Sequence, residues 1–142
     1  MILLDTNIIS ELLKLAPNDR VVEWLRREPE SGAFTTTITE AELLFGVESM
    51  PRGRRRENLA KLVSAVLGGD FADRILPFDS PAALAYAVLV AERKQAGRPI
   101  SQLDAQIAAI ARSRGSALAT RNTADFEACG IELINPWDTK KS

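Results

Sequence analysis

A chain of 142 residues, 46% hydrophobic and 26% charged, has the composition of one ordinary globular domain, which excludes disorder and leaves little room for a second domain. It has no histidine and a single cysteine, Cys129, which excludes a Ser-His-Asp triad, an intramolecular disulfide and most zinc sites, and leaves only oxygen ligands for any metal. The net charge of −1 does not mark the whole surface for nucleic acid, although arginines gather at Arg52, Arg54, Arg55 and Arg56 and again at Arg112, Arg114 and Arg121.

Along the chain, Ile2-Leu3-Leu4 reads as a short buried strand. The opening residues lack the basic and long apolar segments of a secretory signal, and no window approaches 18 uninterrupted apolar residues, so a cytoplasmic chain without a membrane span is expected. Helices are expected over Ile8–Leu15 and Asp19–Arg27, broken by Pro17. Ala33–Thr37 is β-branched and fits a second strand, and Thr39–Glu48 fits a helix. Arg54–Leu67 reads as a longer helix with Leu59, Leu62, Val63, Val66 and Leu67 on one stripe, ended by Gly68-Gly69. Arg74–Pro77 is the third expected strand. Ser80-Pro81 reads as a helix start, with Ser80 as N-cap and Pro81 at the first helical position. That helix runs to about Ala96 and stops at Gly97. Gln102–Ser113 is the last helix, and Ala117–Thr120 and Glu132–Ile134 are the last strands. A single domain over 1–137 and a loose tail over 138–142 follow. Strands alternating with helices predict an α/β sandwich with a mainly parallel sheet flanked by helices. In that architecture ligands bind beyond the carboxyl ends of the strands.

Four acids fall where the chain leaves a strand or enters a helix: Asp5, Glu42, Asp104 and Asp125. Ser101-Gln-Leu-Asp104, Thr39-Glu-Ala-Glu42 and Asn122-Thr-Ala-Asp125 also match a helix-capping pattern, so for these three a purely structural role stays open. Asp5 follows three apolar strand residues, where no capping role is expected, and the case for a site starts there. Two carboxylates 4 Å apart repel by about 4 kcal/mol at an effective dielectric near 20. Convergence of three or four therefore calls for a divalent cation. Such an ion supplies a water of lowered pKa that can attack a phosphodiester. An acidic cluster without histidine is consistent with a nuclease.

Ile2-Leu-Leu-Asp-Thr-Asn-Ile-Ile-Ser10, Thr39-Glu-Ala-Glu-Leu-Leu-Phe-Gly46, Leu103-Asp-Ala-Gln-Ile-Ala-Ala109 and Ala119-Thr-Arg-Asn-Thr-Ala-Asp-Phe126 resemble, in order, the four motifs of PIN domains. The closing Ile134-Asn-Pro-Trp137 is similar to the end of the VapC subgroup that includes FitB-like toxins. The resemblance spans nearly the whole chain and rests on the set of motifs, since none is specific alone. It implies a PIN-like fold and the toxin of a toxin–antitoxin pair, an endoribonuclease using Mg²⁺ or Mn²⁺ held by Asp5, Glu42 and Asp104. Many relatives carry Asp where this chain has Asn122. Asp125, three residues on, is assigned as the fourth acid, with Asn122 as its hydrogen-bonding neighbour. Thr6 and Thr120 are candidates to orient carboxylates or water, Asn7 lies beside them, and Arg121 is a candidate phosphate contact. The resemblance also implies a homodimer and a VapB-type antitoxin whose arginine competes for the carboxylates. The apolar stretches Ala82–Ala91 and Leu59–Leu67 are candidate interface helices.

Two other readings remain. A haloacid-dehalogenase-type phosphatase also opens with Asp after an apolar strand, but it needs a second Asp where this chain has Asn7, and a later catalytic lysine. A PIN fold with a decayed site is supported only by Asn122. Which RNA is cut is not legible.

Overall fold

The computed structural model describes residues 1–29 and 32–138. Five parallel strands form one sheet: β1 (Ile2–Leu4), β2 (Ala33–Thr36), β3 (Ile75–Leu76), β4 (Ala117–Ala119) and β5 (Leu133–Ile134), in the spatial order β3-β2-β1-β4-β5. Parallel neighbours need crossovers, and helices supply most of them. These are α1 (Thr6–Leu12), α2 (Asp19–Arg27), α3 (Thr37–Glu48), α4 (Arg54–Ala65), α5 (Ser80–Gln95) and α6 (Gln102–Ser113). Ile2 sits opposite Ala33 on one side and Ala117 on the other, so β1 is the middle strand.

The short apolar strands divide their side chains by the two-residue period of a pleat. Leu3 and Leu118 enter the core under α5 and α6, with Leu89, Ile107, Ile110 and Phe126. Leu4 and Ala119 enter the opposite core, with Ile8, Ile9, Val21, Leu43 and Val63. Burial on both faces explains why the strands read as apolar runs without alternation. Among the described residues, no helix is long and apolar enough to cross a membrane.

Helix boundaries follow the caps. The α2 and α6 spans agree with the expectation because Asn18 accepts from Arg20 N–H and Val21 N–H, and Ser101 accepts from Asp104 N–H. Elsewhere the structure corrects the sequence reading. Helix α1 begins at Thr6 and not Ile8, and its N-cap is Asp5, whose carboxylate accepts from Thr6 N–H. Asp5 thus has the capping contact that the sequence reading denied it. The α3 cap is Thr36, which accepts from Thr39 N–H, so the capping box expected at Thr39 does not form. Asp79, not Ser80, caps α5, because the longer carboxylate reaches Ala82 N–H. Gly68 and Gly69 do not end α4 but lie inside a π-helical turn, Val66–Asp70. Leu62 leaves the expected apolar stripe and is 47% exposed. The tail at 139–142 lies outside the described residues, whereas Asp138 is tied by its carboxylate and amide to Asn135.

Leu118→Ala should cost about 2–5 kcal/mol in urea denaturation, the range for emptying a core leucine. Leu62→Ala should cost about 0.5 kcal/mol or less. Equal losses would contradict the two burial environments.

Candidate functional site

The chain runs outward from β1 in both directions, to β2 and β3 on one side and to β4 and β5 on the other. A crevice opens at such a reversal, beyond the strand ends. Here it is a cleft of about 410 Å³ lined by Asp5, Thr6, Asn7, Glu42, Asp104 and Asn122, with Glu11, Lys14, Arg121 and Trp137 also on its walls. A larger cleft of about 680 Å³ lies between α2 and the π-helical turn, lined by Leu12, Leu25 and Phe71, and holds none of these site acids.

Asp5 is delivered by β1, Glu42 by the second turn of α3 and Asp104 by the first turn of α6. Only 5% of Asp5 is exposed. Its Oδ1 accepts from Thr6 N–H at 2.8 Å, and its Oδ2 accepts from the Thr120 hydroxyl at 2.8 Å and Asn7 Nδ2 at 3.4 Å. Thr120 can donate to Asp5 because other groups fill its lone pairs: Asn7 Nδ2 at 3.2 Å and Asn122 N–H at 3.1 Å. Asn7 Oδ1 in turn accepts from Arg121 N–H at 3.2 Å.

Glu42 is held by a second chain of hydroxyls. Thr6 donates to Glu42 Oε1 at 2.8 Å, which spends its only proton. The 3.0 Å contact between Thr6 and Thr39 must then run from Thr39 to Thr6, and the Thr36 hydroxyl donates to Thr39 at 3.4 Å. Thr36 and Thr39 are fully buried. Both belong to this site, and sequence reading missed them. The run Thr35-Thr36-Thr37-Ile38-Thr39 at a strand-to-helix junction was the available signal.

Burial pushes the Asp5 carboxyl up to about 6 from its ordinary 3.8, against the hydrogen bonds of Thr120 and Thr6, and the charges of Asp104 and Glu42 push the same way. Burial also raises the Asp104 carboxyl; the Ser101 contact opposes this and the Asp125 charge adds to it. Asp125 itself is exposed on a short 3₁₀ turn, Thr123–Phe126, and does not line the cleft. Asn122 precedes that turn with a non-helical backbone, so the two residues do not present one helical face. On the opposite wall, the Lys14 hydrogen bond holds the Glu11 carboxyl below its usual range. The Arg121 guanidinium lies 5.0 Å over the Trp137 ring.

An all-oxygen donor set with a buried carboxylate under repulsion suits a hard divalent cation. Among the described residues, however, no three acidic or cysteine side chains form a ready metal cage. A cation such as Mg²⁺ keeps several waters and needs only one or two direct carboxylates, so the cleft does not need such a cage to take one.

The PIN domain family matches residues 2–130. Over 138 residues the chain is 42% identical to the VapC ribonuclease Y4jK of Sinorhizobium fredii, covering 97% of this chain and 99% of the relative. Over 137 residues it is 41% identical to Toxin FitB of Neisseria gonorrhoeae, covering 96% and 99%. The solved structure of FitAB bound to a DNA fragment superposes with a TM-score of 0.92 at 39% identity, covering 99% of both chains.

The raised Asp5 carboxyl sets a pH dependence. The folded chain binds this proton more tightly than the unfolded chain, so the metal-free protein loses stability as pH rises from about 4 through about 6. At neutral pH the penalty is about 3 kcal/mol. In EDTA at pH 8, Asp5→Asn should therefore stabilise the fold by about 1–2 kcal/mol, less than the full penalty because an amide cannot accept every bond. The gain should vanish toward pH 4. A loss of stability at pH 8 would overturn the assignment of burial as the dominant cost.

Proposed function

The chain belongs to the PIN-domain family, and from that premise we propose that it is the endoribonuclease toxin of a toxin–antitoxin pair, cutting RNA at the cleft formed by Asp5, Glu42 and Asp104. The observation that carries this is the convergence of those three acids on one crevice, with Asp5 buried at its floor. Family membership removes the phosphatase reading. We place the whole activity in one domain, 1–137, working in the cytoplasm.

The donor chemistry fits Mg²⁺ or Mn²⁺, which Asp5, Asp104 and Glu42 would hold directly or through the ion's own waters, with Asp125 as an outer fourth acid acting on Asp104. When bound, the ion supplies Lewis acidity and a water of lowered pKa. The chain's own residues do the rest. Thr120 and Thr6 fix the rotamers of Asp5 and Glu42 and keep both carboxylates pointed at the cleft. Asn7 and Asn122 hold Thr120 in its donating orientation. Arg121, stacked on Trp137, presents a guanidinium edge to a neighbouring phosphate, a contact that makes RNA binding salt-sensitive.

The partners follow from the same surface chemistry. An antitoxin arginine fits the acidic floor and would exclude both cation and RNA. A homodimer fits the apolar side chains left open on α5 and α3. Leu84 is 70% and Val88 42% exposed one turn apart, and Phe45 is 72% exposed.

With Mg²⁺ or Mn²⁺, the purified protein should cleave single-stranded or looped RNA, and excess EDTA should stop it. Asp5→Asn and Asp104→Asn should each lower the rate by roughly 10²-fold or more, with unchanged circular dichroism. Cleavage persisting in EDTA would defeat the mechanism. In light scattering at micromolar concentration the isolated chain should have a dimer's mass, and Leu84→Asp should give the monomer. A monomeric wild type throughout would refute the dimer.

A further inference from the structure

Arg93 on α5 is only 5% exposed, yet its bonds go to main-chain carbonyls and a thiol. Nε donates to the Arg98 carbonyl at 2.6 Å. Nη1 donates to the carbonyls of Asp125, at 3.2 Å, and Glu127, and lies 3.6 Å from Cys129 Sγ. Burying a guanidinium is costly, and an apolar side chain would fill the same volume more cheaply. What an arginine adds is a rigid planar fork that binds several acceptors at fixed angles.

Those acceptors belong to the two segments that carry one side of the cleft. Arg98 lies in the turn that leads to Ser101, the cap of α6, and Asp104 stands in the first turn of that helix. Asp125–Cys129 follows Thr120–Asn122 after Thr123 and Ala124. A second link joins the same segments at the surface, where Arg98 Nη2 meets Glu127 Oε2 at 2.8 Å. Between the clamped residues, Ala128 has φ +60°. A left-handed alanine is strained and persists only where its surroundings over-determine it. Arg93 binds the carbonyl just before it and touches the side chain just after it.

We propose that Arg93 is a positioning residue of the ribonuclease site. It locks the turn before α6 to the segment after β4, and so sets the spacing between Asp104 and the Thr120–Asn122 edge. Its effect should appear in cation affinity rather than in RNA binding. This rests on the nuclease reading of the cleft.

The test is Mn²⁺ titration of the RNA-free protein, followed by electron paramagnetic resonance, beside thermal melts and steady-state RNA cleavage. Arg93→Lys keeps the charge, but a single ammonium cannot span both segments. It should weaken Mn²⁺ binding and lower kcat at limiting Mn²⁺ by about tenfold, with KM for RNA nearly unchanged. Adding Ala128→Gly to Arg93→Lys should recover part of the Mn²⁺ affinity, since glycine holds the turn without strain. Glu127→Ala, an exposed change that leaves the core intact, should shift Mn²⁺ affinity the same way by a smaller factor. Wild-type Mn²⁺ affinity in Arg93→Lys overturns the proposal. If Arg93→Lys does not fold, wild-type affinity in Glu127→Ala does so. A wild-type protein that neither binds Mn²⁺ nor cuts RNA would instead overturn the nuclease reading and this proposal with it.

Discussion

Everything at the cleft follows from placing one carboxylate, Asp5, at the end of the middle strand, between two apolar cores. Leu3 and Leu4 just before it are fully buried on opposite faces, and Ile8 and Ile9 just after it are fully buried too. The group cannot turn away to solvent. It must be solvated by the protein, and Thr6 N–H, the Thr120 hydroxyl and Asn7 supply that solvation. These three donors leave the carboxyl raised toward 6, so the fold holds a charge that its own hydrogen bonds do not fully stabilise. Stability is given up at one point, a common arrangement at functional sites.

The hydroxyl chains show how that point is kept rigid. A lone threonine beside a carboxylate can rotate away. Thr6 cannot, because Thr39 donates to it and Thr36 donates to Thr39. Thr120 is pinned in the same manner by Asn7 and Asn122. In each chain the direction of donation is fixed by counting protons, and each ends on an acid.

Much of this was legible in the sequence, for reasons that differ by element. The spans of α2 and α6 were readable because Asn18 and Ser101 are strong caps directly before periodic apolar residues. The parallel sheet was readable from apolar runs separated by helices. Asp5, Glu42 and Asp104 share one cleft; position alone left Glu42 and Asp104 open as capping residues, and it was the set of PIN-like motifs that singled them out. The start of α1 was misread because Asp5 both caps a helix and lines the cleft, and one local pattern cannot reveal two roles. The π-helical turn was misread because Gly68-Gly69 stops most helices; here the chain widens by one residue before it ends. Thr36 and Thr39 were missed although the threonine run marks the strand-to-helix junction, since no local pattern shows whether a hydroxyl there completes a relay. Asp125 seemed to share a face with Asn122 only on the assumption of an α-helical turn.

The bond between Thr120 and Asp5 joins residues 115 positions apart. The middle strand, made first, needs β4 on its flank before the cleft has a second wall. During synthesis, Asp5 therefore leaves the ribosome long before the residues that orient it. No truncated nascent chain lacking Thr120 can assemble the site. The geometry around Asp5 is therefore completed only once the stretch from β1 through β4 can fold together, a long-range closure late in chain order.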